Sequence, residues 1–315
     1  MTRQRVVFFG NERLSTGLDW TNATTLKTVV AAGYKVDMVV ANHHQARSRR
    51  GRPLEIEAVA AAHDIPVLIT TDVEEIKQRL SQYQAVAGVL VAYGKIVPSA
   101  IINCFKRGII NLHPSLLPQF RGPTPIEQAI LDGVTTTGVS IMQLSAKMDA
   151  GAVFAQRQLA LSGHESKTEL AGKLLQAGAN LLIDHLPGIL DGSLQPVPQD
   201  HTQATYTSLI SKKDGLIDWA KPAEVIEREI RAYLGWPGSR TTLAGTDVTI
   251  TAARVMSGNE SRVSSLELKP GTVFKTDTKE LAVACGQGTL VIDQLKPAGK
   301  PEMTGQAFLA GHPLT

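Results

Sequence analysis

Residues 85–91 read Ala-Val-Ala-Gly-Val-Leu-Val, an apolar stretch without a polar interruption. A strand that is apolar on both faces must be covered on both faces, which predicts a parallel sheet with helices above and below it. Similar short runs lie at 5–9, 35–40, 67–69 and 108–111, and helical patterns at 21–32 and 54–63 separate the first three of them. The alternation predicts an N-terminal α/β domain with a Rossmann-like parallel sheet, whose functional residues belong at the carboxyl ends of the strands.

The chain changes character after residue 190. A long helix is predicted at 166–190, and residues 191–205 are rich in proline and polar side chains, which is typical of a linker. One further helix at 222–234 precedes strands at 239–243, 247–255, 271–275, 281–284 and 290–295. Closely spaced strands favour a small, OB-like β-barrel, although the pattern alone leaves a β-sandwich open. We therefore expect one domain at 1–190, a linker at 191–205 and a β-barrel domain at 206–315.

The composition is that of a globular protein, since 43% of the 315 residues are hydrophobic and 19% are charged. No apolar run approaches the roughly 18 residues of a membrane span, and residues 1–10 do not have the pattern of a signal peptide, so we expect a cytoplasmic location and no membrane partner. Cys104 and Cys285 have no metal-ligand spacing, which predicts neither a disulfide nor a bound metal. Gly10 follows an apolar run, but the GxGxxG spacing is missing, so a nicotinamide cofactor is not expected.

Polar residues follow the predicted strand at 108–111. Residues 111–125 read Asn-Leu-His-Pro-Ser-Leu-Leu-Pro-Gln-Phe-Arg-Gly-Pro-Thr-Pro, and the prolines restrict the backbone. In an extended segment the side chains of Asn111 and His113 point to the same side, where both can act on one reacting group. Spacing alone does not settle their role, because a lone histidine beside a strand is more often a packing residue. Asp149, which precedes Ala-Gly, is by itself an ordinary turn residue.

The segment from Asn111 to Ile126, together with Thr137-Gly-Val-Ser-Ile-Met-Gln-Leu and Met148-Asp-Ala-Gly, closely resembles the catalytic segment of folate-dependent formyltransferases. Further stretches resemble landmarks of the methionyl-tRNA formyltransferase family: Tyr93-Gly-Lys-Ile-Val-Pro, Ile217-Asp-Trp, Ile230-Arg-Ala-Tyr-Leu-Gly-Trp-Pro-Gly and Leu295-Lys-Pro-Ala-Gly-Lys. The resemblance covers nearly the whole chain. It implies transfer of the formyl group of 10-formyltetrahydrofolate to the α-amino group of methionyl-initiator-tRNA for translation initiation, with a tRNA-binding role for residues 206–315.

The resemblance also implies roles for individual residues. The catalytic residues that it implies are Asn111, His113 and Asp149. The folate-binding residues that it implies lie on two stretches, Ser115, Leu116, Leu117 and Pro118 on one, and Val91, Tyr93 and Gly94 on the other. Arg121 and Gly122 are expected at the mouth of the pocket, and the direction of the Arg121 side chain is left open.

A basic cluster follows the second predicted strand. It consists of Arg47, Arg49, Arg50 and Arg52, and no acidic residue lies between it and Glu55. The resemblance implies a tRNA-binding loop here that reaches the acceptor end, although the segment is shorter than the family's usual form. The alternative is a solvated charge run without a partner. Residues 206–315 carry 13 Lys and Arg against 12 Asp and Glu, a net charge of +1, so a basic face there would require segregated charges.

Two other functions stay open on the sequence. A nucleotide-sugar N-formyltransferase would use the same folate donor, but it needs a nucleotide pocket in place of a tRNA surface. A tRNA-binding module without catalysis would keep the basic cluster, but it would have no need for an amide, an imidazole and a carboxylate together. For the chain itself a monomer is expected.

Overall fold

The computed structural model describes residues 4–17, 22–42, 55–256 and 268–312. The chain forms two compact units. The first comprises Met1–Ile126, Val134–Ser162 and Glu169–Ser208, and the second comprises Glu127–Gly133, Gly163–Thr168 and Leu209–Thr315. Residues 191–205, which the sequence predicts to be a linker, belong to the first unit.

The described part of the first unit is built on a seven-stranded sheet in the order β3-β2-β1-β4-β5-β6-β7. The strands are β1 (Arg5–Gly10), β2 (Lys35–Ala41), β3 (Val67–Ile69), β4 (Ala87–Val91), β5 (Ile109–His113), β6 (Thr136–Gln143) and β7 (Val153–Ala160). The first five strands are parallel, as predicted, whereas β6 and β7 are antiparallel to their neighbours. Only nine residues join β6 to β7, and a connection that short can join only antiparallel neighbours.

The helices of the first unit cover this sheet. They are α1 (Thr24–Ala31), α2 (Glu55–Ala62), α3 (Val73–Leu80), α4 (Ser99–Ile102), α5 (Pro125–Leu131) and α6 (Lys167–Asp191), of which α5 and α6 each begin or end in the second unit. Apolar side chains of β1, β2 and β4 pack with α3 and α4 in one core cluster. Among the described residues, no helix is both long enough and apolar enough to cross a membrane.

The strand order reverses between β1 and β4, because β2 and β3 lie on one side of β1 and β4 and β5 on the other. Gly10 ends β1 with a φ of 116°, and a Cβ atom there would lie 1.9 Å from the carbonyl oxygen of Val91 at the end of β4. Ligands of open α/β sheets bind outside the carboxyl ends of the strands at such a reversal. The carboxyl end of β5, which carries Asn111 and His113, lies next to this point in the sheet.

The second unit has its own core. Its elements are α7 (Ala223–Ala232), β8 (Ser239–Leu243), β9 (Thr246–Val255), β10 (Val273–Lys275), β11 (Leu281–Ala284), β12 (Thr289–Pro297), β13 (Met303–Thr304) and α8 (Gly305–Gly311). The described strands form one antiparallel sheet in the order β10-β11-β12-β9-β8, with β13 beside β12. Ile226 and Ile230 of α7 and Phe308 of α8 pack against its apolar residues. The predicted fold class, an α/β domain with a smaller C-terminal β domain, is confirmed.

Candidate active site

Asn111 and His113 are the two polar residues at the end of β5. Within the sheet Asn111 is aligned with Leu90 of β4 and Met142 of β6, and His113 is aligned with Ser140 of β6. Both side chains are buried, and because they are two residues apart on a strand they lie on the same face of the sheet. The structure therefore places this pair as the spacing predicts.

Asp149 lies in the turn between β6 and β7. Its Oδ1 is 3.7 Å from His113 Nδ1, and its Oδ2 accepts a hydrogen bond of 2.8 Å from the backbone N–H of Gly122. The turn holds Asp149 at a φ of 48°, in the left-handed region that residues other than glycine seldom adopt. Two motifs that are distant in the sequence thus bring a carboxylate and an imidazole together.

The second ring nitrogen of His113 also faces an oxygen. Nε2 lies 3.1 Å from the backbone carbonyl oxygen of Phe120. The His113 ring therefore lies between the carboxylate of Asp149, at ion-pair distance from Nδ1, and a backbone carbonyl oxygen within hydrogen-bond distance of Nε2.

The amide of Asn111 makes no hydrogen bond within the part of the chain that the structure describes. An amide that is buried at the end of a strand and is not used by the fold can serve as a donor to a bound molecule. Asn111, His113 and Asp149 thus bring an amide, an imidazole and a carboxylate to one place, and these are kinds of group that acyl-type transfer can use.

The stretch from Ser115 to Pro118 is anchored to β6 and β7. Ser140 Oγ donates to the carbonyl of Ser115 over 2.6 Å and accepts from the N–H of Leu117 over 3.0 Å. Gln156 Nε2 donates to the carbonyl of Leu117 over 2.8 Å. These bonds fix the backbone of the predicted folate-binding stretch, and neither Ser140 nor Gln156 was identified from the sequence.

The other predicted folate-binding residues lie at the end of β4. Val91 ends the strand, and Tyr93 and Gly94 line a surface cavity of about 470 Å³ whose apolar wall includes Phe9, Ile76, Val97 and Ile101. The rings of Tyr93 and Phe9 meet edge to face with centroids 5.9 Å apart, and burial raises the pKa of the Tyr93 hydroxyl. Residues 115–118 do not line this cavity, so the structure divides the predicted folate-binding residues into two groups.

Three further predictions concern the arginine cluster, the direction of Arg121 and the absence of a metal. Arg47, Arg49, Arg50 and Arg52 lie outside the described residues. Arg121, whose direction the sequence leaves open, is buried, with only 1% of its surface exposed. Among the described residues no group of three His, Cys, Asp or Glu side chains could hold a metal ion, and the absence of a metal stays a prediction.

The fold is that of a formyl transferase. Residues 4–186 match the family described as formyl transferase, and residues 209–313 match its C-terminal domain. The chain is 38% identical to the methionyl-tRNA formyltransferase of Chloroflexus aurantiacus over 312 residues, which cover 98% of this chain and 96% of that protein. It belongs to the methionyl-tRNA formyltransferase family.

Two solved structures with low sequence identity have the same fold. HypX from Aquifex aeolicus in complex with tetrahydrofolic acid aligns with a TM-score of 0.66 at 15% identity, over 98% of this chain and 47% of that one. The N-formyltransferase from Helicobacter canadensis in complex with folinic acid and dTDP-3-aminofucose aligns with a TM-score of 0.66 at 16% identity, over 92% of this chain and 98% of that one. At these identities the likeness concerns the fold alone.

Proposed function

We propose that this protein transfers the formyl group of 10-formyltetrahydrofolate to the α-amino group of methionine carried by initiator tRNA. The observation that supports this proposal most is the approach of His113 and Asp149, 3.7 Å apart, beside Asn111 at the end of β5. The near full-length identity to relatives named for this reaction supports the choice of acceptor.

Asn111 and His113 stabilise the transition state in this proposal. When the amine attacks the formyl carbon, the carbonyl oxygen becomes an anion, and fixed donors lower its energy, each by about 3 kcal/mol. The Asn111 amide and the His113 imidazolium are the proposed donors. As the bond between the formyl carbon and N10 breaks, the imidazolium supplies the proton that N10 of the departing tetrahydrofolate takes up.

Asp149 is proposed to accept the proton that the attacking nitrogen loses. The attacking nitrogen becomes positively charged when its bond to carbon forms, and it must lose a proton to give the neutral amide product. The proposed acceptor is the Asp149 carboxylate, directly or through one water. Asp149 Oδ1 lies 3.7 Å from His113 Nδ1, so the proposed proton acceptor and the proposed proton donor are neighbours in the site.

Substrate binding is proposed on the residues that the family resemblance implies. Folate would contact Ser115, Leu116, Leu117 and Pro118 on one side and Val91, Tyr93 and Gly94 on the other. The tRNA would contact Arg47, Arg49, Arg50 and Arg52 and the C-terminal residues 206–315. A cytoplasmic monomer that needs no bound metal completes the proposal.

A nucleotide-sugar N-formyltransferase is the second candidate. The Helicobacter canadensis enzyme, solved with dTDP-3-aminofucose, supports it through a shared fold. The first candidate is favoured, because the chain is 38% identical to a tRNA-directed relative and only 16% identical to this sugar-directed one.

The choice of acceptor is tested by offering 10-formyltetrahydrofolate with one acceptor at a time. The acceptors are methionyl-initiator-tRNA, free methionine and dTDP-3-aminofucose, and formylated product is quantified by mass spectrometry. We expect product with the charged tRNA alone. Product with the amino-sugar and none with the tRNA would replace the first candidate by the second.

The catalytic roles are tested with Asp149→Asn and His113→Ala. An asparagine can still accept the Gly122 N–H, but it cannot take a proton, so kcat should fall by about 100-fold or more while the fold persists. The matched control is Asp184→Asn, which changes a surface carboxylate paired with Arg157 and should leave kcat unchanged. A kcat near that of the wild type in either site variant would reject these roles.

A further inference from the structure

Arg121 is a buried cation that has no carboxylate partner among the residues that the structure describes. Its guanidinium donates twice to Gln199 Oε1, from Nε over 3.1 Å and from Nη2 over 2.6 Å. It also donates to the hydroxyl of Tyr206 over 3.1 Å and to Nδ1 of His201 over 2.9 Å. A buried charge is costly unless its hydrogen bonds are satisfied, and here neutral acceptors satisfy them.

The amide nitrogen of Gln199 is hydrogen-bonded to the turn that carries Asp149. Its Nε2 donates to the backbone carbonyl of Asp149 over 2.9 Å and to that of Gly151 over 2.6 Å. A single side chain therefore links the buried guanidinium of Arg121 to both sides of this turn. The backbone pairing of Val197 with Val153 at the start of β7 brings the segment of Gln199 to this place.

The turn requires such support. Asp149 has a φ of 48°, which costs a residue with a side chain about 1 kcal/mol or more. Gly151 lies so close to β6 that a Cβ atom would be 1.8 Å from the carbonyl oxygen of Gln143. A turn with Asp149 in this conformation persists only where its surroundings fix it, and Gln199 is bonded to the carbonyls of both Asp149 and Gly151.

We propose that Arg121 and Gln199 are positioning residues that hold the Asp149 carboxylate against His113. The inference rests on the proposed function, in which Asp149 is the general base. Neighbouring residues hold Asp149 by two routes, since Gly122 binds its Oδ2 through a backbone N–H and Arg121 acts on its backbone through Gln199. Oδ1 is then the oxygen that faces His113.

A substitution of the Gln199 amide can distinguish a positioning role from a role in stability alone. A glutamate there would pair with Arg121 by charge, but it has no N–H to donate to the turn. Gln199→Glu therefore keeps or strengthens the bond to the guanidinium while it removes both bonds to the carbonyls of Asp149 and Gly151. The two roles of the side chain are separated by one substitution.

The experiment compares Gln199→Glu with the wild type and with Gln195→Ala. Gln195 is the matched control, because its amide donates to the carbonyl of Gly192 in the same segment, away from Asp149. For Gln199→Glu we expect kcat to fall by about tenfold or more with KM for both substrates changed less than about threefold, since positioning is lost and binding is not. Gln195→Ala should match the wild type in both constants.

A second readout does not depend on the reaction. The imidazole ¹⁵N resonances of His113, assigned with His113→Ala, should move in Gln199→Glu in the same direction as in Asp149→Asn. If Gln199→Glu does not fold, Gln199→Met, which has no donor, takes its place. Wild-type kcat with unmoved His113 resonances would overturn the inference, whereas wild-type protein that formylates no acceptor would overturn the proposed function and leave the resonance test in force.

Discussion

Gly122 donates its backbone N–H to Asp149 Oδ2 from a φ of 112°, a conformation that glycine alone adopts at little cost. A Cβ atom at this position would lie 2.8 Å from both the carbonyl oxygen and Oγ1 of Thr207. The residue that holds the carboxylate is therefore fixed by backbone geometry and by crowding. Both the positive φ and the lack of space at Gly122 require a residue without a side chain.

Gly122→Ala should lose stability and activity together. The strained φ and the contact with Thr207 should lower the free energy of unfolding by about 2 kcal/mol, and displacement of the N–H should lower kcat by about tenfold. Urea unfolding and steady-state kinetics measure the two effects. Gly33→Ala is the control, because Gly33 also has a positive φ of 85° but open space around it, so it should lose some stability and no activity.

The sequence locates the proposed catalytic residues better than the side chains that hold them in place. Asn111 and His113 are predicted from strand spacing and resemblance, and Asp149 from resemblance. Gln199 carries no motif and lies in a polar segment whose composition predicts a linker. Its contact with Asp149 depends on how two segments that are distant in the sequence pack together, and a local sequence pattern cannot predict that contact.

At the scale of elements, Ser140 on β6 determines the backbone of the predicted folate-binding stretch. Ser140→Ala removes a hydroxyl that bonds the carbonyl of Ser115 and the N–H of Leu117, and it leaves both buried groups without that partner. We expect a loss of about 2 kcal/mol in stability and a higher KM for folate, with a smaller effect on kcat. Urea unfolding measures the change in stability, and the dependence of the rate on folate concentration measures the change in KM.

The matched control for Ser140→Ala lies on the same strand. Thr137 is buried, and its hydroxyl has no hydrogen-bond partner among the described residues. Thr137→Val should therefore change stability by no more than about 0.5 kcal/mol, or raise it, and should leave KM for folate unaltered. Equal effects of both substitutions would show that the effect does not depend on the hydrogen bonds of the Ser140 hydroxyl.

Glu12 caps helix α1 from the loop after β1. Its carboxylate accepts hydrogen bonds of 2.8 Å from the N–H groups of Thr25 and Leu26, although the residue is fully buried. Burial raises the pKa of Glu12 to about 7, and the two backbone N–H groups oppose that rise only in part. The pKa of this carboxyl group is therefore higher in the folded protein than in the unfolded chain.

The sign of the pH dependence follows from this. A carboxyl whose pKa is raised on folding contributes stability that is fully present below its unfolded pKa of 4.5 and is lost as the pH rises through 7. From pH 4.5 to 8 the wild type should lose about 3 kcal/mol relative to Glu12→Gln, which cannot titrate. Urea unfolding of the wild type and of Glu12→Gln across this range measures the difference.

Elements were predicted where apolar periodicity is strong. The five parallel strands and the long α6 are present within a few residues of their predicted bounds, because burial on both faces leaves a clear pattern. Helix α3 was missed, since only Ile76 and Leu80 of its residues are buried. Asp72, which accepts a hydrogen bond from the N–H of Glu75, is the start signal that could have identified it.

At the scale of the whole molecule, the net charge of +3 on 315 residues does not by itself attract a polyanion. A tRNA substrate must therefore be bound by charges that are concentrated in particular places. The cluster of Arg47, Arg49, Arg50 and Arg52 is the densest such group in the sequence. Its contribution can be separated from that of the overall charge.

Replacing Arg49 and Arg50 together with alanine should raise KM for methionyl-tRNA more than KM for folate, because arginine binds phosphate through its planar fork. Loss of two phosphate contacts should also reduce the slope of log kcat/KM for tRNA against log salt concentration by about 1.5. The control removes the same charge through Arg79→Ala and Arg157→Ala. Equal changes in both double variants would assign the effect to net charge, and unchanged tRNA kinetics in the first would identify the cluster as a solvated charge run.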